Sequence, residues 1–243
     1  MEWIYLSPHF DDVAFSCGGL VWEQTKSGLD VSIWTICAGD PPPGPISRYG
    51  QGLHERWGTG PNAVAARRNE DLFSSRLMGA DSRNFSIPDA IYRRSALDGN
   101  PLYTADEELF IDLRREEESL VVGLKSELEQ ALPVECELVC PLALGGHVDH
   151  RLVRSAAEQL NRSLWYYADY PYTVNPDKDI PEYDRALRPR PFPVSEAGLK
   201  TWQLAVAAHA SQISTFWSSP DEMRKAIRAY WELTKGVRLW RFI

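Results

Sequence analysis

The chain has 243 residues, of which 44% are hydrophobic and 25% charged, with a formal net charge of -8. That charge argues against a nucleic-acid binder and against docking on anionic membranes, because both need clustered Lys and Arg. No run approaches the roughly 20 apolar residues of a membrane helix, and the N-terminus lacks the pattern of a signal peptide. We therefore expect a cytoplasmic protein whose four cysteines are reduced and mostly buried.

The first 170 residues alternate between strand and helix patterns. Strands are predicted at 3–6, 30–39, 134–142 and 163–170. Helices are predicted from Cys17 to a stop at Gly28, over 62–79, from a Thr104/Glu107 capping box to about Leu132, and over 148–160. This alternation predicts an α/β fold, a Rossmann-like and mostly parallel sheet with helices on both faces.

The remaining chain predicts two more helices, over 196–216 and 219–233. The second has Ser219 as N-cap, Pro220 at its first position and Glu222 closing a capping box. Two Pro-rich stretches, about 40–61 and 171–195, are predicted to be loop excursions from a single domain that spans 1–243.

Polar side chains follow two of the predicted strands. His9, Asp11 and Asp12 come after the first strand, and a second group, residues 147–150, follows the strand at 134–142. Turn and helix-cap residues are the plain alternative. Three of the five histidines nevertheless fall in these two windows. Because ligands bind outside the carboxyl ends of parallel strands, the pattern favours a metal site with His and carboxylate ligands.

Four motifs, in this order, resemble those of the zinc-dependent de-N-acetylases related to GlcNAc-phosphatidylinositol deacetylase, the LmbE-like family. The resemblance covers roughly residues 3–215. The motifs are Pro8-His9-Phe10-Asp11-Asp12, Arg67-Arg68-Asn69-Glu70, His147-Val148-Asp149-His150 and His209-Ala210-Ser211-Gln212.

The resemblance implies one zinc ion per chain, held by His9, Asp12 and His150. Three protein ligands and an open position are what a catalytic zinc needs. Asp11 is then free to act as general base. His147 would stabilise the oxyanion or protonate the leaving amine, and we expect Asp149 to orient a histidine.

Other polar residues have two interpretations each. Arg67 is expected to bind substrate hydroxyls or, equally, to pair with Glu70 on the same helix face. His54 is expected to be exposed in its loop, with contact to substrate as the less favoured alternative. His209 lies on an apolar helix face, where packing or a local hydrogen bond is the usual role.

Aromatic residues near the end of the strand at 163–170 suggest a sugar-binding wall. Tyr170 or Tyr172 is expected to stack on a sugar ring and Asp169 to accept a hydroxyl hydrogen bond, with Trp57 as a further stacking candidate. Packing in the core or at the rim is the plainer alternative for these aromatic side chains.

The predicted function is a zinc-dependent hydrolase that removes an acetyl group from an N-acetylated amino sugar or sugar conjugate. A zinc-dependent hydratase or lyase on the same fold, or a non-catalytic sugar-binding protein, are the alternatives. The predicted partner is a small-molecule substrate, with no nucleic acid or membrane. Homo-oligomerisation and the use of another divalent metal stay open.

Overall fold

A computed structural model describes residues 1–176, 180, 184 and 186–242 of the chain. In this part, seven strands form one sheet in the order β3-β2-β1-β4-β5-β7-β6. Strands β1 to β5 are parallel, and β7 runs antiparallel to both β5 and β6. The strands are β1 (Glu2–Ser7), β2 (Val31–Thr35), β3 (Asp81–Asn84), β4 (Cys136–Pro141), β5 (Leu164–Tyr167), β6 (Arg188–Phe192) and β7 (Val237–Arg241).

Helices cover both faces of this sheet, as predicted. Along β1, Tyr5 packs into one core with α1, α3 and α6, whereas Ile4 and Leu6 pack into the other with α4 and α5. Alternation of this kind follows from the two-residue period of a strand. The helices are α1 (Asp12–Lys26), α2 (Arg48–Arg56), α3 (Ala63–Met78), α4 (Glu118–Ala131), α5 (Val148–Glu158), α6 (Glu196–Ala208), α7 (Ala210–Phe216) and α8 (Pro220–Thr234).

Two helix boundaries in the first half differ from the prediction. Helix α1 begins at Asp12 rather than Cys17, which places a carboxylate in the first turn, where the helix dipole favours it. The predicted loop at 40–61 contains α2, whose N-cap Ser47 accepts a hydrogen bond from Gly50 N. The motif after β1 is therefore the start of a helix.

The continuous helix predicted from Thr104 to Leu132 was wrong. Only α4 is α-helical, and it is preceded by two 3-10 turns, Asp106–Phe110 and Arg115–Glu117. The backbone N–H and the hydroxyl of Thr104 donate hydrogen bonds to the carboxylate of Glu108 rather than to that of Glu107. The break lets Glu117 turn inward and pair with the buried Arg93.

The C-terminal half also departs from the prediction. Residues 196–216 form two helices divided at His209, whose ψ is 57°. The Glu222 carboxylate accepts hydrogen bonds from Ser218 N and Oγ instead of from the backbone of the N-cap Ser219, as the predicted capping box would require. The excursion at 171–195 contains β6, and its residues 177–179, 181–183 and 185 lie outside the described part. Strands β3, β6 and β7 were not predicted.

The sheet order places the candidate site. The order of strands reverses between β1 and β4, and such a switch point opens a crevice at the carboxyl ends. A third apolar cluster, which includes Phe10, Leu53 and Val148, supports that edge. No helix in the described ranges has the length and apolar character that crossing a membrane requires.

Candidate metal centre

The turn between β1 and α1 is fixed by its own hydrogen bonds. Ser7 Oγ donates to His9 O at 2.6 Å and accepts from Val13 N at 3.2 Å. His9 N donates to Asp12 Oδ2 at 2.7 Å. The chain therefore holds the His9 and Asp12 side chains together at the first helical turn.

Asp12 lies between two histidines that come from different strand ends. Its Oδ2 is 3.2 Å from His9 Nδ1, and its Oδ1 is 3.2 Å from His150 Nε2. The other ring nitrogen of each histidine meets a buried carboxylate: His9 Nε2 lies 2.9 Å from Asp149 Oδ2, and His150 Nδ1 lies 2.5 Å from Asp169 Oδ1. Both imidazole rings are thus turned toward Asp12.

The carboxylates make this cluster attractive to a cation. Burial would lower the pKa of His9, but Asp89 and Asp12 outweigh it and raise the pKa well above its usual range. Against the same burial effect, Asp12 and Asp169 raise the pKa of His150 to about 9. Burial would raise the pKa of Asp12, yet His150 and His9 hold it well below its usual range. A metal ion binding here would displace protons from both rings.

An orphaned buried atom supports a metal at this position. His150 Nε2 is buried and, although it lies 3.2 Å from Asp12 Oδ1, it makes no well-aligned hydrogen bond to any described residue. Ligand atoms of His9, His147 and His150 all lie within 4.8 Å of one another. His147 Nδ1, however, accepts from Asp149 N at 3.2 Å, so Asp12 is the better third ligand. Two imidazoles and one carboxylate suit a borderline cation such as zinc.

Asp11 and His147 lie in the same cavity as the cluster. Burial raises the pKa of Asp11, opposed by Arg67, whose Nη2 lies 3.4 Å from Asp11 Oδ1. Burial and the nearby His9 hold the pKa of His147 well below its usual range. Since Nδ1 of His147 accepts a backbone N–H, the hydrogen-bond pattern assigns its ring proton to Nε2.

Arg67 does not pair with Glu70, so that alternative was wrong. Its guanidinium contacts Asp11 and, at 3.3 Å, Asp89, and it stacks on Trp57 with 4.8 Å to the ring centroid. Glu70 instead accepts from Ser211 N and Oγ at 2.9 and 2.6 Å. The second and fourth sequence motifs are therefore joined at the start of α7.

Asp169 and Tyr170 are not placed as substrate contacts. Asp169 is buried behind His150 and also accepts from Leu144 N at 2.9 Å. The ring of Tyr170 packs against Tyr230, with centroids 4.3 Å apart, and is absent from the cavity lining. The structure gives Asp169 an orienting contact to a histidine instead.

The two histidines outside the cluster, His54 and His209, are both buried within the protein. His54 is buried rather than exposed, and its Nε2 lies 2.7 Å from the Tyr92 hydroxyl. His209 is fully buried with its ring edge-on to Phe15. Neither nitrogen of His209 finds a hydrogen-bond partner in the described part of the chain, and burial lowers its pKa to about 3. Packing is therefore the role that the structure gives His209.

A buried chain of charges behind the cluster was missed by sequence reasoning. Arg93 donates to Asp149 and lies 3.0 Å from Glu117, which in turn accepts from the Tyr103 hydroxyl. Asp149 also accepts from Ala90 N at 3.0 Å. These contacts fix Asp149 beside His9, whose Nε2 lies 2.9 Å from Asp149 Oδ2.

The cavity over the cluster has a volume of about 250 Å³. Its floor is polar, its wall is mostly aromatic, and Arg56 and Asp106 lie 3.8 Å apart at its rim. Asp89 is a floor residue that was also missed. The floor residues are His9, Asp11, Asp12, Arg67, Asp89 and His147, and the wall includes Phe15, Leu53, Trp57, Ile91, Leu109, Phe110, Tyr172 and Phe216.

Fold and cluster together define an α/β protein with a candidate His/Asp metal centre at the carboxyl edge of its parallel sheet. More particularly, the chain belongs to the PIG-L family, described as GlcNAc-PI de-N-acetylase, which it matches over residues 4–161. The resemblance noted in the sequence is thereby confirmed.

Solved and curated relatives agree with this family. A 2'-N-acetylparomamine deacetylase of Niallia circulans is 32% identical over 186 residues, 70% of this chain and 66% of that protein. The 2'-N-acetylparomamine deacetylase of Streptomyces fradiae is 28% identical over 198 residues, which are 76% of this chain and 62% of that protein. The matches thus span just under two thirds of these relatives. The zinc-inhibited form of teicoplanin deacetylase Orf2 has the same fold, with TM-score 0.83, 23% identity and coverage of 99% and 97%.

Proposed function

We propose that the protein is a zinc-dependent N-deacetylase that acts on an acetylated amino sugar or its conjugate. The observation that carries the proposal is the orientation of His9 and His150, each with one nitrogen toward Asp12 and the other held by a buried carboxylate. Second partners of this kind fix the orientation of metal-ligating histidines. The relatives named above are deacetylases of N-acetylated sugar compounds, which supports the substrate class.

His9, Asp12 and His150 would hold the metal. When bound, a zinc ion supplies a Lewis acid and lowers the pKa of water toward neutrality. Phe15, Leu53 and their neighbours give the same space an apolar wall, and polar interactions are stronger beside apolar groups than in bulk water.

Asp11 would accept a proton from the attacking water. Its raised pKa brings it closer to the pH at which a general base works best, and Arg67 keeps the carboxylate in place. The water oxygen adds to the carbonyl carbon, the C–N bond breaks, and the proton on Asp11 passes to the leaving nitrogen. Acetate and a free amine are the products.

His147 would act as a hydrogen-bond donor. Its pKa is too low for an imidazolium at neutral pH, and its Nε2–H is free of the backbone contact made by Nδ1. A neutral donor of this kind stabilises the negative carbonyl oxygen during attack. This argument favours oxyanion stabilisation over protonation of the leaving amine.

The test combines metal content with amine release. Purified protein, loaded with zinc, is incubated with N-acetylated amino sugars, including an N-acetylated paromamine, and free amine and acetate are measured. We expect equal amounts of both products and about one zinc per chain, with zinc largely lost in His9→Ala and His150→Ala. Asp11→Asn should keep the metal and lose about 10²- to 10⁴-fold in kcat.

Two outcomes would contradict the proposal. Unchanged amine release by Asp11→Asn would show that Asp11 is not the general base. The hydratase alternative would be favoured if the wild type binds zinc but only hydrates unsaturated dicarboxylates, a reaction measured by the loss of their ultraviolet absorbance.

A further inference from the structure

Tyr172 is the aromatic wall residue that lies beside the candidate metal centre. It stands in the loop after β5, and its ring centroid is 5.5 Å from that of His150, with the planes nearly perpendicular. Phe110 and Phe216 pack on the same ring at 6.0 and 5.5 Å. The ring is therefore held between the cluster and two apolar neighbours.

Gly145 makes room for this ring. A Cβ atom at position 145 would lie 2.6 Å from both Cβ and Cγ of Tyr172, closer than nonbonded carbon atoms approach. The base of the tyrosine side chain thus rests directly on the backbone of the loop that leads to His147. That close approach fixes the direction of the ring from its base outward.

The hydroxyl of Tyr172 has no hydrogen-bond partner among residues 1–176, 180, 184 and 186–242. Tyr49, which also lines the cavity, by contrast donates to Asp106 at 2.6 Å. Burial raises the pKa of Tyr172 well above its usual range, and the charges that raise it most are those of Asp12 and Asp11. Tyr172 lines the cavity together with Asp11, Asp12 and His147.

Packing alone does not explain a tyrosine here. Phenylalanine would fill the space against Phe110 and Phe216 equally well, whereas the Tyr172 side chain is half-buried and leaves its hydroxyl oxygen accessible. Because the hydroxyl makes no hydrogen bond to a described residue and Tyr172 lines the cavity, it is available to donate to a molecule that binds there. The oxygen of a bound acetamide is a suitable acceptor.

We propose that Tyr172 is a catalytic residue whose hydroxyl donates a hydrogen bond to the carbonyl oxygen of the scissile acetamide as that oxygen becomes negative. The inference rests on the proposed deacetylase function. Tyr172 keeps its proton throughout, since the proton taken from water travels through Asp11 to the leaving nitrogen. Together with His147 Nε2–H it supplies two donors, from different elements, to one developing charge.

The first experiment compares Tyr172→Phe with Tyr170→Phe, using the N-acetylated amino sugar that the wild type turns over best. Both substitutions remove one hydroxyl, but the Tyr170 ring packs on Tyr230 outside the cavity. Loss of one such donor typically lowers kcat by about 10²- to 10³-fold. We expect that loss in Tyr172→Phe with little change in KM, and wild-type kinetics in Tyr170→Phe. Zinc content should match the wild type in both.

A binding measurement separates a catalytic from a structural role. The probe is the N-methylphosphonyl derivative of the same amino sugar, a tetrahedral and anionic analogue of the acetamide. Its affinity should fall in Tyr172→Phe by about the same factor as kcat, because only interactions made in the transition state raise kcat. Affinity for the free amine product should stay unchanged.

Gly145→Ala provides an independent test, since the added methyl group must displace the Tyr172 ring without altering its hydroxyl. It should lower kcat in the wild-type background but add little to Tyr172→Phe, a non-additive pair. Equal kcat for wild type and Tyr172→Phe would overturn the assignment of Tyr172 while leaving the deacetylase intact. No amine release by the wild type would overturn the proposed function, and the assignment of Tyr172 with it.

Discussion

Asp169 Oδ1 lies 2.5 Å from His150 Nδ1, while the other nitrogen of the same ring lies 3.2 Å from Asp12. Asp149 makes the equivalent contact to His9. The two buried carboxylates come from different elements, the loop after β5 and the first turn of α5. The candidate centre therefore has an outer layer of negative charge that aims both imidazole rings inward.

Asp169→Asn should weaken metal binding without removing a ligand. The amide keeps the size of the carboxylate but loses its charge, so His150 becomes a poorer ligand. Substitutions of this kind typically cost about 10- to 100-fold in metal affinity. Competition with a zinc-binding chromophore measures the affinity, and Asp221→Asn, exposed in the first turn of α8, is the control. An unchanged zinc affinity in Asp169→Asn would show that the contact has no role in binding.

Arg93 is predicted to be a strong determinant of stability. Its guanidinium is buried between Asp149 and Glu117, so Arg93→Met leaves two carboxylates without their cation. Removing one partner of a buried ion pair costs about 3–5 kcal/mol in the free energy of unfolding. Urea unfolding measures it.

The matched control is Arg224→Met. Arg224 pairs with Asp221 at the surface, and an exposed pair contributes at most about 1 kcal/mol. Similar losses for the two variants would contradict the importance of the buried chain.

The meeting of the polar residues after β1 and β4 could be predicted because it depends on one rule, whereas the choice of His9, Asp12 and His150 among them came from the family resemblance. Strands read from their apolar runs were placed in a parallel sheet, and the carboxyl ends of neighbouring parallel strands share an edge. Strands β1 and β4 prove to be adjacent. Local pattern and topology agreed there, so the residues that follow both strands meet.

Other parts of the site carried no such signal. Strand β3 is the polar sequence Asp81–Asn84, exposed along its length, so nothing indicated that Asp89 and Arg93 follow a strand into the site. The sequence predicts a substrate contact for Asp169 because it shows that Asp169 follows β5, but it does not show which way the side chain points. Whether a side chain turns to the cavity or to a neighbouring histidine is decided by tertiary packing, which one sequence does not show.

Gly39 should tolerate no side chain. A Cβ atom there would lie 2.1 Å from Ser86 O, a backbone atom of the segment that leads to Asp89. Overpacking of this kind costs typically about 1–3 kcal/mol, and the displaced segment should also lower activity. Gly52→Ala is the matched control, because no atom lies within 4 Å of its Cβ position in α2.

Thermal unfolding of the two glycine variants should move in opposite directions. Alanine is favoured over glycine in a helix interior by about 1 kcal/mol, so Gly52→Ala should raise the melting temperature, while Gly39→Ala lowers it. A Gly39→Ala protein as stable and active as the wild type would show that the segment at 86–89 can shift freely.

Asp71 should make stability depend on pH. It is buried on α3 and accepts from Thr35 Oγ1 at 3.2 Å, and burial raises its pKa to about 7. Because the folded pKa lies above the unfolded one, the folded state binds this proton more tightly. Its stabilising effect is complete below about pH 4 and is lost as the pH rises through about 7.

Asp71→Asn removes this titration, so the free energy of unfolding of the variant relative to the wild type should rise between pH 5 and pH 7 and level off above it. A shift of about 3 pKa units sets an upper limit on the order of 4 kcal/mol for that gain. Urea unfolding at pH 5, 6, 7 and 8 measures the difference. Parallel stability curves would mean that the Asp71 carboxylate is accommodated in its charged form, with Thr35 and the more distant Arg67 compensating for its burial.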